Sequence, residues 1–290
     1  MNKSYIFSKE NNHENYFFLA VIPLLIYGLY KNGYLLISNH YITTKMLIKV
    51  IIYPLISTLI AYLLGLIFKK NKKELLKFGI IAGLTAPYNF NMIAYFSIVI
   101  GVMFLLMYVP NRLKINEPAL LITILIILNA IYNNSVIFNP MELTNQYKFS
   151  LFDLFFGRGV SFIYTSSIFW LLVSYLILTN IKTYKRNIFI YEFITYLICF
   201  FIYVICTKDF TSSAIIFLNG ITFFSFIFLS PVNTSSPSIN FEMKIYAIFT
   251  SLLSFIFVFI LKIFTGAVIA VLISSIIYRL YDIIRQKRFL

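Results

Sequence analysis

The sequence predicts an all-α polytopic membrane protein with about ten crossings in two inverted halves, each carrying a broken helix. Three observations lead there. The 290 residues are 60% hydrophobic and only 12% charged, with a mean hydropathy of +0.87, a combination that soluble domains do not reach. Lipid offers backbone N–H and C=O groups no partner, so each span must close its own hydrogen bonds as a helix; the continuous apolar runs also lack the alternation of a β-barrel. Third, Phe78–Tyr108 and its echo at Asn219–Pro237 each hold a short Gly-containing apolar segment that meets a proline in a polar cluster. The clusters are Thr85-Ala86-Pro87-Tyr88-Asn89 and Ser230-Pro231-Val232-Asn233-Thr234. Paired breaks of this kind mark discontinuous helices near the bilayer midplane, where membrane proteins place their sites.

A straight helix needs about 20 apolar residues to cross a core of about 30 Å. Residues 1–15 form a polar tail holding Lys3, Lys9, Glu10 and Glu14, and the run after it has no small-residue cleavage pattern, so it is read as a retained helix. Spans are expected at 16–37, 46–68, 91–109, 118–137, 161–181, 188–206, 243–261 and 264–282, with 76–90 and 213–229 as the two broken crossings. The integral domain is thus 16–282. Its halves, 16–133 and 161–282, are joined by an outer segment, 134–160, and a basic tail, 283–290, follows.

The net charge of +14 resides in short clusters between apolar runs, with no soluble domain to form a nucleic-acid groove. Lys69-Lys70-Asn71-Lys72-Lys73 with Lys77, Arg112 with Lys114, Lys182 with Lys185 and Arg186, and Arg279 with Arg285, Lys287 and Arg288 fall on one side when the crossings number ten. By the positive-inside rule that side is the cytoplasm, which also receives both termini. The other side receives 31–45, 134–160, 207–212 and Lys262, with Lys31 and Lys45 against the rule. Abundant Ile, Phe, Tyr, Asn and Lys fit AT-rich coding and a bacterial cytoplasmic membrane.

Within the outer segment, Ser150–Phe156 is apolar enough to lie at the interface. Formal charges in the spans sit near their ends, at Glu117, Glu192, Asp209, Glu242, Lys262 and Asp282, and no deeply buried ionisable residue is expected. Glu117 opens a helix in Asn116-Glu117-Pro118, where a carboxylate meets free N–H groups. Cys199 and Cys206 read as apolar thiols, and His13 and His40 as solvated; none has metal-ligand spacing.

Taken in order, these segments resemble the flavin-carrying membrane subunits of bacterial ion-pumping oxidoreductases, the RnfD/NqrB family. Phe17-Phe18-Leu19-Ala20-Val21-Ile22-Pro23-Leu24 is similar to that family's opening helix. Gly79-Ile80-Ile81-Ala82-Gly83-Leu84-Thr85-Ala86-Pro87 resembles its Gly-hydrophobic-Ala-Leu-Thr-x-Pro segment, and Glu117-Pro118-Ala119 its Asn-Pro-Ala. Ser150-Leu151-Phe152-Asp153-Leu154-Phe155-Phe156-Gly157 resembles the stretch before its glycine-rich turn, and Thr165-Ser166 the end of its Gly-Glu-Thr-Ser. Ser230-Pro231-Val232-Asn233-Thr234-Ser235-Ser236-Pro237 is similar to its Asp-Pro-Val-Thr-Ser-Pro.

The resemblance implies a urea-transporter-like fold of two inverted halves and a multi-subunit complex with flavin and iron–sulfur partners. It also implies FMN joined by a phosphoester to a threonine on the outer side, the position of Thr144 here. Thr85, Pro87, Asn116, Glu117, Thr165, Ser230 and Thr234 are the further cofactor-binding candidates it implies. Several positions depart from the pattern: Met141-Glu142-Leu143 precedes Thr144 in place of Ser-Gly-Ala, Ile163 and Tyr164 replace Gly and Glu, Glu117 replaces Asn, and Ser230 replaces Asp.

Three readings follow: a subunit of an Rnf/Nqr-like ion-translocating electron-transport complex, a small-solute channel or carrier, and a cofactor-free structural paralogue. In the first, the chain is at most a non-autonomous part of the enzyme, with FMN or riboflavin bound or with no cofactor. In the second, Thr85, Asn89, Asn91, Asn233, Thr234 and Ser235 line a neutral path.

Overall fold

Apolar runs bounded by charge fold as helices because nothing else closes the backbone in lipid. The computed structural model describes residues 3–38, 40, 43–68, 72–87, 91–108, 115–133, 150–157, 161–232 and 235–288, among which there is no strand. In order these form α1 (Lys3–Leu29), a π-helical turn (Tyr30–Tyr34), α2 (Leu35–Ser38), α3 (Thr44–Ile67), α4 (Lys72–Leu84), α5 (Met92–Tyr108), α6 (Glu117–Asn133) and α7 (Leu151–Phe156). Then come α8 (Ile168–Leu178), α9 (Arg186–Thr207), α10 (Phe210–Phe217), α11 (Gly220–Phe224) with a π-helical turn (Ser225–Leu229), α12 (Asn240–Phe255) with another (Ile256–Ile260), and α13 (Gly266–Arg288).

Among the described residues five helices are long and apolar enough to cross a membrane: Asn15–Ser38, Leu47–Ile67, Arg186–Thr207, Asn240–Ile260 and Gly266–Arg285. The pair Phe210–Phe217 and Gly220–Leu229, bent by 40°, makes a sixth. Length alone therefore supports five or six of the ten expected crossings. Met92–Phe104, Glu117–Ile131 and Ile168–Leu178 are apolar but shorter.

Three boundaries differ from the sequence reading. The helix of α1 begins at Lys3, inside the stretch read as a tail. The helix expected over 161–181 is confined to Ile168–Leu178. Ser167 caps it by accepting from the Trp170 N–H at 3.3 Å, and the preceding 161–167 is non-helical yet buried throughout. Non-helical backbone at this depth is tolerable only when protein covers it. The second break lies at Leu218-Asn219, ahead of the expected proline: Asn219 Oδ1 accepts from Ile221 N at 3.0 Å while its Nδ2 donates to the Phe264 carbonyl at 2.7 Å. Pro231 follows where the π-helical turn has already ended.

Small residues set the closest packing. On α4, Gly79 and Gly83 lie one turn apart, and a Cβ on Gly83 would fall 2.4 Å from the Pro54 Cα of α3. Ser57 and Ala61 face them, so α3 and α4 pack almost backbone to backbone. Elsewhere α1 packs on α8, α9 on α12, α12 on α13, and α6 on α13. In the first half α4 also touches α6 and α3 touches α5; in the second α11 touches α13.

The described parts of the basic clusters share one end of the bundle. A cavity there is lined by Glu74 and Lys77 of α4, Glu117 and Pro118 of α6, Thr183 and Tyr184 before α9, and Pro231. Lys185 beside it donates to the Ser236 carbonyl and hydroxyl at 2.7 and 2.9 Å, close enough to Arg279 to feel its charge. Lys31, the exception expected outside, is buried in the π-helical turn after α1.

Candidate functional site

The non-helical 161–167 segment is a hub on which four helices meet. Asn32 of the first π-helical turn donates its Nδ2 to the Ile163 carbonyl. Tyr164 N donates to the Leu84 carbonyl that ends α4, at 3.4 Å. The Tyr164 ring lies over Gly28 of α1, and its hydroxyl donates to the Val50 carbonyl of α3 at 2.5 Å. On the far side, Gly220 opens α11 so close to the Thr165 carbonyl that a Cβ there would stand 2.2 Å from it. Burial without hydrogen bonds marks Thr165 Oγ1 and Ser166 Oγ as polar atoms with unmet capacity.

Most of the expected site residues are already used by the fold. Thr85 is buried, and its hydroxyl returns to the carbonyls of Ile81 and Ala82 at 2.9 and 3.2 Å, closing the end of α4. Tyr95 adds a hydroxyl donor to the Ala82 carbonyl at 2.7 Å, and Pro87 is buried beyond it. Asn116 caps α6 by accepting from Ala119 N at 3.1 Å, and its Nδ2 donates to the Leu229 carbonyl at 2.6 Å. Ser230 donates to the Glu192 carboxylate. Glu117 is half-buried at the rim of the basic-end cavity.

These residues fall in two places. Thr85 and Thr165 come together at the hub, where Tyr164 N meets the Leu84 carbonyl, whereas Asn116, Glu117 and Ser230 gather at the basic end. Of the six described candidates only Thr165 keeps a hydroxyl without a partner. Thr144 and Thr234 lie outside the described residues, as do Asn89 and Asn233. Of the remaining expected path residues, Asn91 is exposed and accepts from Ile93 N at 2.9 Å, and Ser235 is buried with a free hydroxyl.

Glu192 corrects the expectation that no ionisable residue is deeply buried: it is 0% exposed on the stripe Ile188, Phe189, Glu192, Tyr196 and Phe200 of α9. That stripe packs against a face of α12 formed by Tyr246, Ala247, Thr250, Ser251 and Ser254. Ser251 donates to the Glu192 carbonyl at 2.9 Å, Ser230 to Oε1, and Oε2 has no hydrogen-bond partner. The i, i+3, i+4 spacing around Glu192 is the signal in the sequence that it shares a face with core aromatics.

A search of curated proteins returns no match. The family model that matches, over residues 95–290, takes in α5 to α13, the hub and Glu192. The chain belongs to the NQR2, RnfD, RnfE family.

Proposed function

We propose that this chain is a membrane subunit of an Rnf/Nqr-type electron-transport complex in a bacterial cytoplasmic membrane, with its basic end cytoplasmic. Family membership over residues 95–290 is the observation that carries the reading. Two inverted halves with ten crossings are part of the proposal, supported by an apolar helix that stops short in each half, at Leu84 and at Phe217. Because most of the core candidates are engaged by the protein itself, FMN or riboflavin is assigned to the outer segment at Thr144, and the core is a scaffold. Such a subunit works with flavin and iron–sulfur partners that supply and remove electrons.

The test is affinity purification from native membranes under mild detergent, with the absorbance spectrum read before and after acid precipitation. Expected are co-purifying redox subunits, and flavin that stays with the precipitated chain and is lost in Thr144→Val. A chain that purifies alone, from membranes whose redox activity does not change when it is deleted, would overturn the subunit reading. Flavin retained in Thr144→Val would overturn the attachment site only.

A further inference from the structure

The Glu192 carboxyl has a role that neither the family match nor the scaffold reading assigns. It is fully buried in a helix that crosses the membrane, and among the described residues no Lys, Arg or His pairs with it. Side chains at the basic end of the bundle bond other partners: Lys185 bonds Ser236, Arg279 bonds Asp282, and Arg285 bonds Glu242. The titratable groups that do face it are phenols, Tyr246 from α12 and Tyr184 from the link before α9. Tyr184 is turned to the Ile227 carbonyl at 2.9 Å, and the Tyr246 hydroxyl lies against those of Ser230 and Thr250.

An ionised carboxylate in such surroundings lacks both water and a counter-ion, and either a proton or a metal cation could supply the missing charge. The oxygens at hand separate the two. Among the described residues the Ser230 hydroxyl bonds the carboxyl and the Tyr246 and Tyr184 phenols face it, fewer oxygens than the six or so ligands of a hard cation. A proton needs only Oε2, which is the free atom.

The route is short. Pro231 and Tyr184 line the basic-end cavity, of about 160 Å³, and Ser230, the residue before Pro231, holds Glu192. That volume accommodates several waters.

We propose that Glu192 is a proton-binding site, loaded at Oε2 from the basic-end cavity past Tyr184 and Pro231. On loading, an O–H bond forms at Oε2 as an O–H bond of hydronium in the cavity breaks and leaves water; on release the proton returns to water there. No electron moves, so the site stands whether or not the chain carries flavin or serves a redox complex.

The experiment is infrared spectroscopy of the purified full chain in lipid nanodiscs, followed through a pH series in H2O and in D2O. Expected is a protonated-carboxyl C=O band that shifts in D2O, disappears reversibly as pH rises, and is missing in Glu192→Gln. Ser230→Ala, which removes the donor to Oε1, should move that band to higher frequency in an otherwise folded protein. A carboxyl band unchanged in both variants, or no titrating band at all, would overturn the proposal. Loss of the band on adding sodium or lithium chloride at fixed pH would overturn it in favour of a metal-cation site.

Discussion

Tyr164 donates its phenolic proton to the backbone carbonyl of Val50, 2.5 Å away and 114 residues earlier in the chain. The acceptor is free because Pro54 lies four residues on within α3 and has no N–H to return to it. A proline in a membrane helix is tolerated when a neighbour satisfies the released carbonyl. Tyr164, standing where the resembled pattern has a glutamate, does that here.

The coupling is testable as a cycle. Tyr164→Phe leaves a buried carbonyl unpaired and should lower stability by about 1–3 kcal/mol. Pro54→Ala restores the native helical donor, so Tyr164→Phe should cost much less in that background. Thermal unfolding of the four proteins in one detergent measures this, and equal costs in both backgrounds would show that the phenol does not serve Val50.

Gly83 makes a second prediction. Its added Cβ would meet the Pro54 Cα at 2.4 Å and the Ser57 hydroxyl at 2.7 Å, whereas Gly101 on α5 has nothing within 4 Å. Gly83→Ala should therefore force α3 from α4 and cost about 1–3 kcal/mol by overpacking. Gly101→Ala should be neutral or stabilising by up to about 1 kcal/mol, since Ala is the better helix former. The difference in melting temperature between the two variants is the readout.

These residues show what the sequence could and could not tell. Runs such as 188–206 stand out because charge bounds them on both sides, and the helix found, Arg186–Thr207, agrees within two residues. Phe162-Ile163-Tyr164 is as apolar as any helix, so hydropathy could not separate a covered non-helical hub from the start of a span. Pro231 drew the second break toward itself, while the chain breaks at Asn219, whose cap before Gly220 is a quieter signal. Glu192, one turn into α9, reads as a terminal charge by position, while its spacing from Phe189 and Tyr196 carries the signal of a shared buried face. Polar residues at the breaks suggested ligands, yet Thr85 and Asn116 answer first to the backbone groups that the breaks release.

Asn116 separates a structural role from a cofactor role. It joins α6 to the end of the second π-helical turn through the Leu229 carbonyl and caps α6 at Ala119. Asn116→Ala removes both bonds and should destabilise the fold by about 1–3 kcal/mol for each buried group left unpaired. Flavin per folded protein should stay constant in this variant. A chain that keeps its melting temperature but loses flavin would return Asn116 to the cofactor site.

Lys185 makes a prediction about pH. Its half-buried ammonium donates to Ser236, and burial, with the Arg279 guanidinium nearby, lowers its pKa from 10.5 to about 8. Between those two values the unfolded chain holds a proton that the folded chain has released, so stability from this group rises with pH across the window. Below pH 8 both states are protonated, and the folded protein bears the cost of the partly desolvated charge. Lys185→Gln keeps an N–H donor but has nothing to titrate. The wild-type melting temperature should therefore gain on that of the variant as pH climbs from 8 to 10.5. Parallel curves for the two proteins would mean that Lys185 titrates as an ordinary surface amine and that its hold on Ser236 leaves the charge in water.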